Sequence, residues 1–209
     1  MDLKNRWFAL ASKYSSKESL LLDCWNEIEF NYTERGRAYH NCTHIESMLS
    51  LMDACTHDWE QKDVTEMSIW YHDVIYNARK GDNEFQSAVL AKKRLTKLGF
   101  SEAAIDLCYS QILATKSHTL EANHTCSDTA YLLDFDLEVL GRDWESYELY
   151  SQQIRKEYSI YPWFMYKRGR KKAMEHFLER PFIYQTNNFR ERLEAQARKN
   201  IRREIGLLT

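Results

Sequence analysis

His72 and Asp73 are adjacent in the middle of Met67-Ser-Ile-Trp-Tyr-His-Asp-Val-Ile-Tyr76, a run that is otherwise almost all apolar or aromatic. An ionisable pair in such surroundings is expensive to bury unless something satisfies it. A divalent metal ion would do so, since neutral imidazole and carboxylate are both good ligands. The plainer alternative is a core histidine held by a carboxylate.

Two other segments bring ligand-type residues into apolar surroundings. His44 precedes Ile45, Met48, Leu49 and Met52, and Asp134 and Asp136 interrupt the run Tyr131 to Leu140. Together with His72 and Asp73 these residues offer two imidazoles and two carboxylates. Such a set suits a mid-hardness divalent ion better than calcium. On a helix Asp134 and Asp136 point about 200° apart, so one is expected to be a ligand and the other a capping or supporting group.

The elements that must position these residues read as helices. Asp63 and Glu66 form a capping-box pattern ahead of Val64, Met67, Trp70, Tyr71, Val74 and Ile75, which predicts a buried helix ending near Tyr76. Ser15 to Glu18 is a second capping box, opening a helix to about Tyr32. Asn41 or Thr43 caps a helix with His44 in its first turn, where the dipole field favours the neutral imidazole, and His40 lies just before it. Asp82 or Asn83 opens a helix with Phe85, Ala88, Val89, Ala91 and Leu95 as its apolar face, stopped by Gly99. Further starts fall at Ser101, Ser127, Asp143 and Pro162, the last opening a helix that holds Phe164, Met174 and Phe177. A final amphipathic helix spans about Asn188 to Leu207. Its charges, Arg190 to Glu204, read as a solvated face with i,i+4 pairing.

With six glycines and two prolines in 209 residues, a turn-rich β fold is disfavoured. The expectation is an all-α fold in a single domain, residues 1–209, with the metal-site core at about 37–160 and the helices from 162 to 209 packed on it. A formal net charge of −2 provides no global field for a nucleic acid polymer or an anionic membrane, and neither is predicted as a partner. Five scattered cysteines with no Cys-x-x-Cys spacing read as reduced thiols, and no stretch nears the ~20 apolar residues of a membrane span. The first residues carry no apolar signal core, so a soluble cytoplasmic protein is expected.

The order His … His-Asp … Asp on successive helices resembles the HD superfamily of metal-dependent phosphohydrolases. Leu133-Asp-Phe-Asp-Leu-Glu-Val-Leu-Gly141 is similar to that family's final D-A-D-x-L-x-x-L-G signature. The chain more closely resembles a group of predicted HD-type phosphohydrolases of about 200 residues. The matching pieces are Arg37 to Ile45, His72 to Tyr76, Asp82 to Glu84 with Ser87 and Ala88, Ala114 to His118, Leu133 to Gly141, Ile154 to Tyr158 and Glu194 to Asn200. The resemblance implies an HD-domain-like helical bundle. It also implies that His44, His72, Asp73 and Asp136 hold one divalent ion (Mn, Fe, Co, Ni, Zn or Mg), with His40 the other choice for first ligand. The substrate would be a small phosphorylated molecule such as a nucleotide.

Bound to such an ion, water has a pKa of about 7 and becomes a nucleophile at neutral pH. Glu84 and His118 are the acid–base candidates, with Asp73 among the catalytic residues, and His40, Lys116 and Arg155 the phosphate contacts. Each has a plainer reading: Glu84 as a first-turn acid, Lys116 as a solvated loop lysine, Arg155 as the partner of buried Asp134, and His40 as a loop histidine without a role. His57 reads as a packing residue, while Tyr39 and Tyr76 are placed to reach the cleft rim. A two-iron oxygenase would need His118 or His124 to ligate a second ion, and a binding module without turnover is a third option. The oligomeric state is left open, a homodimer among the choices.

Overall fold

The computed structural model describes residues 2–120 and 126–208. Among them are ten α-helices and one short 3-10 turn, with no strand, so the fold is all-α as the glycine and proline scarcity predicts. No helix among the described residues is long and apolar enough to cross a membrane. The chain divides into two compact units, Met1–Leu132 and Leu133–Thr209.

The first unit contains α1 (Leu3–Ala11), α2 (Glu18–Tyr32), α3 (Cys42–Ala54), α4 (Lys62–Tyr71), α5 (Asn83–Leu98), α6 (Glu102–Ala114) and the start of α7 (Asp128–Leu137). Its centre is α4, on which every residue from Val64 to Tyr71 is buried. It packs against α3, α5 and α6. Trp70 meets Trp7 and Trp25 edge-on at 5.9 and 6.2 Å, the preferred arrangement for aromatic quadrupoles. Two buried hydroxyl residues of α4 are satisfied sideways: Ser68 donates to Gln111 Oε1 at 2.6 Å, and Gln111 donates to Thr65 at 3.1 Å.

Neither predicted capping box forms. The N-cap of α4 is Gln61; Asp63 instead takes Lys13 and Tyr14, and Glu66 takes Arg6. The N-cap of α2 is Lys17, with Ser15 Oγ accepting from the Lys17 N–H. In both helices a partner elsewhere, or a shift of register, displaces the local motif. Asn41, Ser101 and Asp143 do cap as predicted. Gly99 closes α5 at φ +94°, a left-handed position that glycine adopts without strain. On α5 the expected apolar face is narrower: Ala88, Ala91 and Leu95 are buried, whereas Phe85 and Val89 are exposed.

The second unit holds the end of α7, the 3-10 turn Glu138–Gly141, α8 (Trp144–Glu157), α9 (Trp163–Glu179) and α10 (Asn187–Leu207). The 3-10 turn packs on α10, and Asn200 donates to its carbonyls at Leu140 and to that of Arg142. A Cβ at Gly141 would lie 2.6 Å from Leu193 Cβ, so this close approach requires glycine. The charges of α10 are not simply a solvated face. Glu204 is 4% exposed and accepts from Arg170, Tyr147 and Ser151. Arg198 donates to carbonyls of Leu178 and Arg180. Phe164 is not a core residue of α9: it is 72% exposed.

Candidate metal centre

The helix carrying the His-Asp pair ends five residues earlier than its periodicity predicts, at Tyr71 rather than near Tyr76. His72 is its C-cap, and the pair stands at a helix terminus, not mid-helix. The chain beyond is captured by side chains from elsewhere. Arg37 donates to the carbonyls of Asp73 and Val74, and the Tyr32 hydroxyl accepts from the Asp73 N–H. Ser87 Oγ both accepts from Ile75 N–H and donates to Ile75 C=O, and Asn83 does the same for Asn77. Each bond replaces one the helix would have made, so both backbone groups of Asp73, Ile75 and Asn77 and the Val74 carbonyl are compensated.

This turn aims the pair. His72 is 1% exposed, and its Nδ1 lies 2.9 Å from the Ile69 carbonyl. A carbonyl accepts only, so the proton is on Nδ1 and the Nε2 lone pair faces the other way. His44, in the first turn of α3 and 5% exposed, presents its own Nε2 3.2 Å from that of His72. Two imidazole nitrogens bound at about 2.05 Å to one ion would be about 2.9 Å apart at 90° and about 3.3 Å at the tetrahedral angle. The observed spacing falls between these values, so the pair fits a shared ion.

Asp73 Oδ2 is 3.2 Å from His72 Nε2 and 3.8 Å from His40 Nε2. His40 is half-buried, stacked on Tyr76 with ring centroids 4.5 Å apart, and edge-on to Tyr39. Tyr39 also lies 4.9 Å from the His44 ring. Within the first unit the four groups run as a chain of neighbours, His44 to His72 at 3.2 Å, His72 to Asp73 at 3.2 Å and Asp73 to His40 at 3.8 Å, so His44 rather than His40 faces His72.

Glu84 is half-buried in the first turn of α5. The Lys116 ammonium donates to the Gly81 carbonyl at 2.6 Å, so Lys116 and Glu84 flank the same loop, 81–83. His118, two residues on, is half-buried with φ +50°, an uncommon backbone for a residue with a Cβ. His124 lies outside the described residues.

Asp134 and Asp136 belong to the second unit. Asp134 is fully buried and accepts from the N–H groups of Gln185 and Thr186 and from the Thr186 hydroxyl. Burial pushes its carboxyl up to about 6, against the pull of those donors. It is the capping member of the aspartate pair, holding the segment that enters α10. Asp136 is half-buried. Arg155 is not the partner of Asp134: its guanidinium donates to the Tyr158 and Tyr161 carbonyls and stacks over Tyr166 at 4.7 Å.

Arg37 is the residue that sequence reasoning missed. It lies inside the Arg37–Ile45 segment and is 8% exposed. The one available signal was its place between two predicted helices ahead of two histidines. His57, read as packing, bonds Asp128 at 2.8 Å; Asp128 also accepts from the N–H groups of Glu60 and Gln61 at the start of α4. That cluster caps the start of α4, and the ligand atoms of Glu60, Cys126 and Asp128 in it lie within 4.8 Å of one another.

No family model, curated protein or solved structure matches this chain.

Proposed function

We propose that this protein is a metal-dependent phosphohydrolase that releases phosphate from a small phosphate ester, with His44, His72 and Asp73 holding one divalent ion. The observation that carries the reading is the facing of two buried Nε2 atoms at 3.2 Å, one of them fixed in its tautomer by the Ile69 carbonyl. With its Nδ1 proton given to Ile69, His72 Nε2 is an acceptor that faces both His44 Nε2 and, at 3.2 Å, the acceptor-only Asp73 carboxylate; a hydrogen bond from His44 would satisfy the first contact alone, whereas a shared cation satisfies both. The resemblance adds Asp136 as the fourth ligand.

When bound, the ion would lower the pKa of a coordinated water and polarise a phosphoryl oxygen. The chain's own groups do the rest. His40, beside Asp73 and held flat by Tyr76, is positioned to donate to a phosphate oxygen. Lys116 adds positive charge at the 81–83 loop, and Arg155 is the phosphate contact proposed from the second unit. Glu84 or His118 moves the proton between water and leaving group. A nucleotide is the substrate class to screen first, on the family analogy alone.

The test is metal content by mass spectrometry on protein purified without chelator, beside Asp136→Ala and His72→Ala, followed by phosphate release from a nucleotide panel. About one transition metal per chain in the parent protein, lost in both variants, together with phosphate release, supports the reading. Metal retained in His72→Ala, or no metal after reconstitution, overturns it. Two irons with a visible absorption band would replace hydrolysis by oxidation.

A further inference from the structure

The start of α9 carries a surface that the metal centre does not use. Trp163, Phe164 and Met165 are consecutive and 52%, 72% and 49% exposed. Ile160, just before the helix, and Leu207, near the end of α10, are 45% and 64% exposed. A shallow groove there is lined by Trp163, Phe164, Lys167, Arg168, Lys171 and Leu208. Lys167, Arg168, Lys171 and Lys172 follow on the same helix, Arg168 and Lys172 exposed and the other two half-buried, while Arg170 between them is neutralised by Glu204. The net charge of −2 for the chain therefore conceals a basic local patch of four cations.

Helical geometry arranges these residues by layer. At 100° per residue, Trp163, Phe164, Lys167, Arg168 and Lys171 fall within an arc of about 140°. The aromatic residues occupy the first turn, and the cations follow roughly 6–12 Å further along the axis. That separation is comparable with the ~5–10 Å to which the apolar side chains of interfacial helices enter the headgroup boundary. The cations then sit at the level of the lipid phosphates.

The occupant follows from two features. Three consecutive exposed apolar residues sweep about 200° around the helix, more than one rigid protein face covers, whereas a fluid bilayer surrounds such a tip. Trp163 and Phe164 could stack on bases, but Ile160, Met165 and Leu207 extend the exposed surface with apolar groups that bases do not stack on and that lipid solvates, which favours a bilayer over a single-stranded nucleic acid. We propose that the first two turns of α9 dock on the surface of an anionic lipid bilayer, with Trp163 and Phe164 inserted and Arg168 and Lys172 on the headgroups. This is peripheral contact by a helix end, and it is independent of the metal centre.

Co-sedimentation of the full chain with phosphatidylcholine vesicles, with and without phosphatidylglycerol, tests it. Binding is expected only to the anionic vesicles and is expected to fall with salt. Each surface cation is worth about fivefold in partitioning, so Arg168→Gln with Lys172→Gln should weaken binding about 25-fold. Phe164→Ser should weaken it about tenfold. All three residues are exposed, so the helical signal should be unchanged. Absence of vesicle binding, equal binding to neutral vesicles, or binding that no variant weakens overturns the proposal. Retention on an oligonucleotide without vesicle binding overturns it as well and gives the patch to nucleic acid.

Discussion

The Arg37 guanidinium holds the main-chain carbonyl of Asp73 at 2.6 Å, from a side chain that is 8% exposed. One buried cation thereby fixes the turn on which both residues of the His-Asp pair depend. It reaches the Val74 carbonyl as well, at 2.8 Å, and lies over the rings of Tyr32 and Tyr76.

Arg37→Met keeps the length of the side chain and removes those donors. It leaves three carbonyls, those of His40, Asp73 and Val74, without their partner and should destabilise the chain by about 2–4 kcal/mol, read as a lower denaturant midpoint. Metal affinity should fall about 10–100-fold, as for other groups that orient ligands without touching the ion. Loss of stability with unchanged metal affinity would show that the turn does not set the site.

Asp73→Ala and His72→Ala should each lower metal affinity more than about 100-fold, beyond the effect of an orienting residue. They should abolish phosphate release and leave the far-UV helical signal in place, since both residues lie past the end of α4. Activity that survives Asp73→Ala would refute the assignment of the site.

Two buried carboxylates of the second unit predict opposite pH dependences. Asp134 is raised to about 6 by burial, so between about pH 4 and 6 the folded state binds more protons than the unfolded one. Its contribution to stability therefore falls as pH rises through that window and is flat above it. Burial also pushes Glu204 upward, but the Arg170 charge and the donors around it hold its pKa below the usual glutamate range. Its contribution is present above that range and is lost as pH falls below it. Thermal melts from pH 3 to 8 of the parent and of Asp134→Asn check the sign: the variant should lose the decline between about pH 4 and 6. It should also be less stable by about 1–3 kcal/mol at neutral pH, because an amide N–H would face backbone donors.

Gly141→Ala places a methyl 2.6 Å from Leu193 Cβ and 2.7 Å from the Tyr184 hydroxyl. Leu193 is part of α10 and Tyr184 is fully buried, so neither can give way freely and a cost of about 1–3 kcal/mol is expected in chemical denaturation. A neutral substitution would mean that the 3-10 turn can move away from α10.

The sequence by itself determined the helical class, the positions of most helices and the residue types of the site. Scarce glycine and proline, caps such as Asn41, Ser101 and Asp143, and the stop at Gly99 are local signals, read within a few residues. The choice between Asp134 and Asp136 for the capping role was narrowed by helix geometry, but only the Gln185 and Thr186 donors decided it. Tertiary structure alone decided where α4 ends. Val74 and Ile75 continue its apolar period, so nothing local stops the helix before Tyr76. Arg37, Tyr32, Ser87 and Asn83 end it by binding the backbone groups of residues 73–77. Those partners are up to about forty residues distant in sequence. Their bonds can replace the helical ladder only after the surrounding helices have packed, and that is what turns His72 and Asp73 outward to meet His44 and His40.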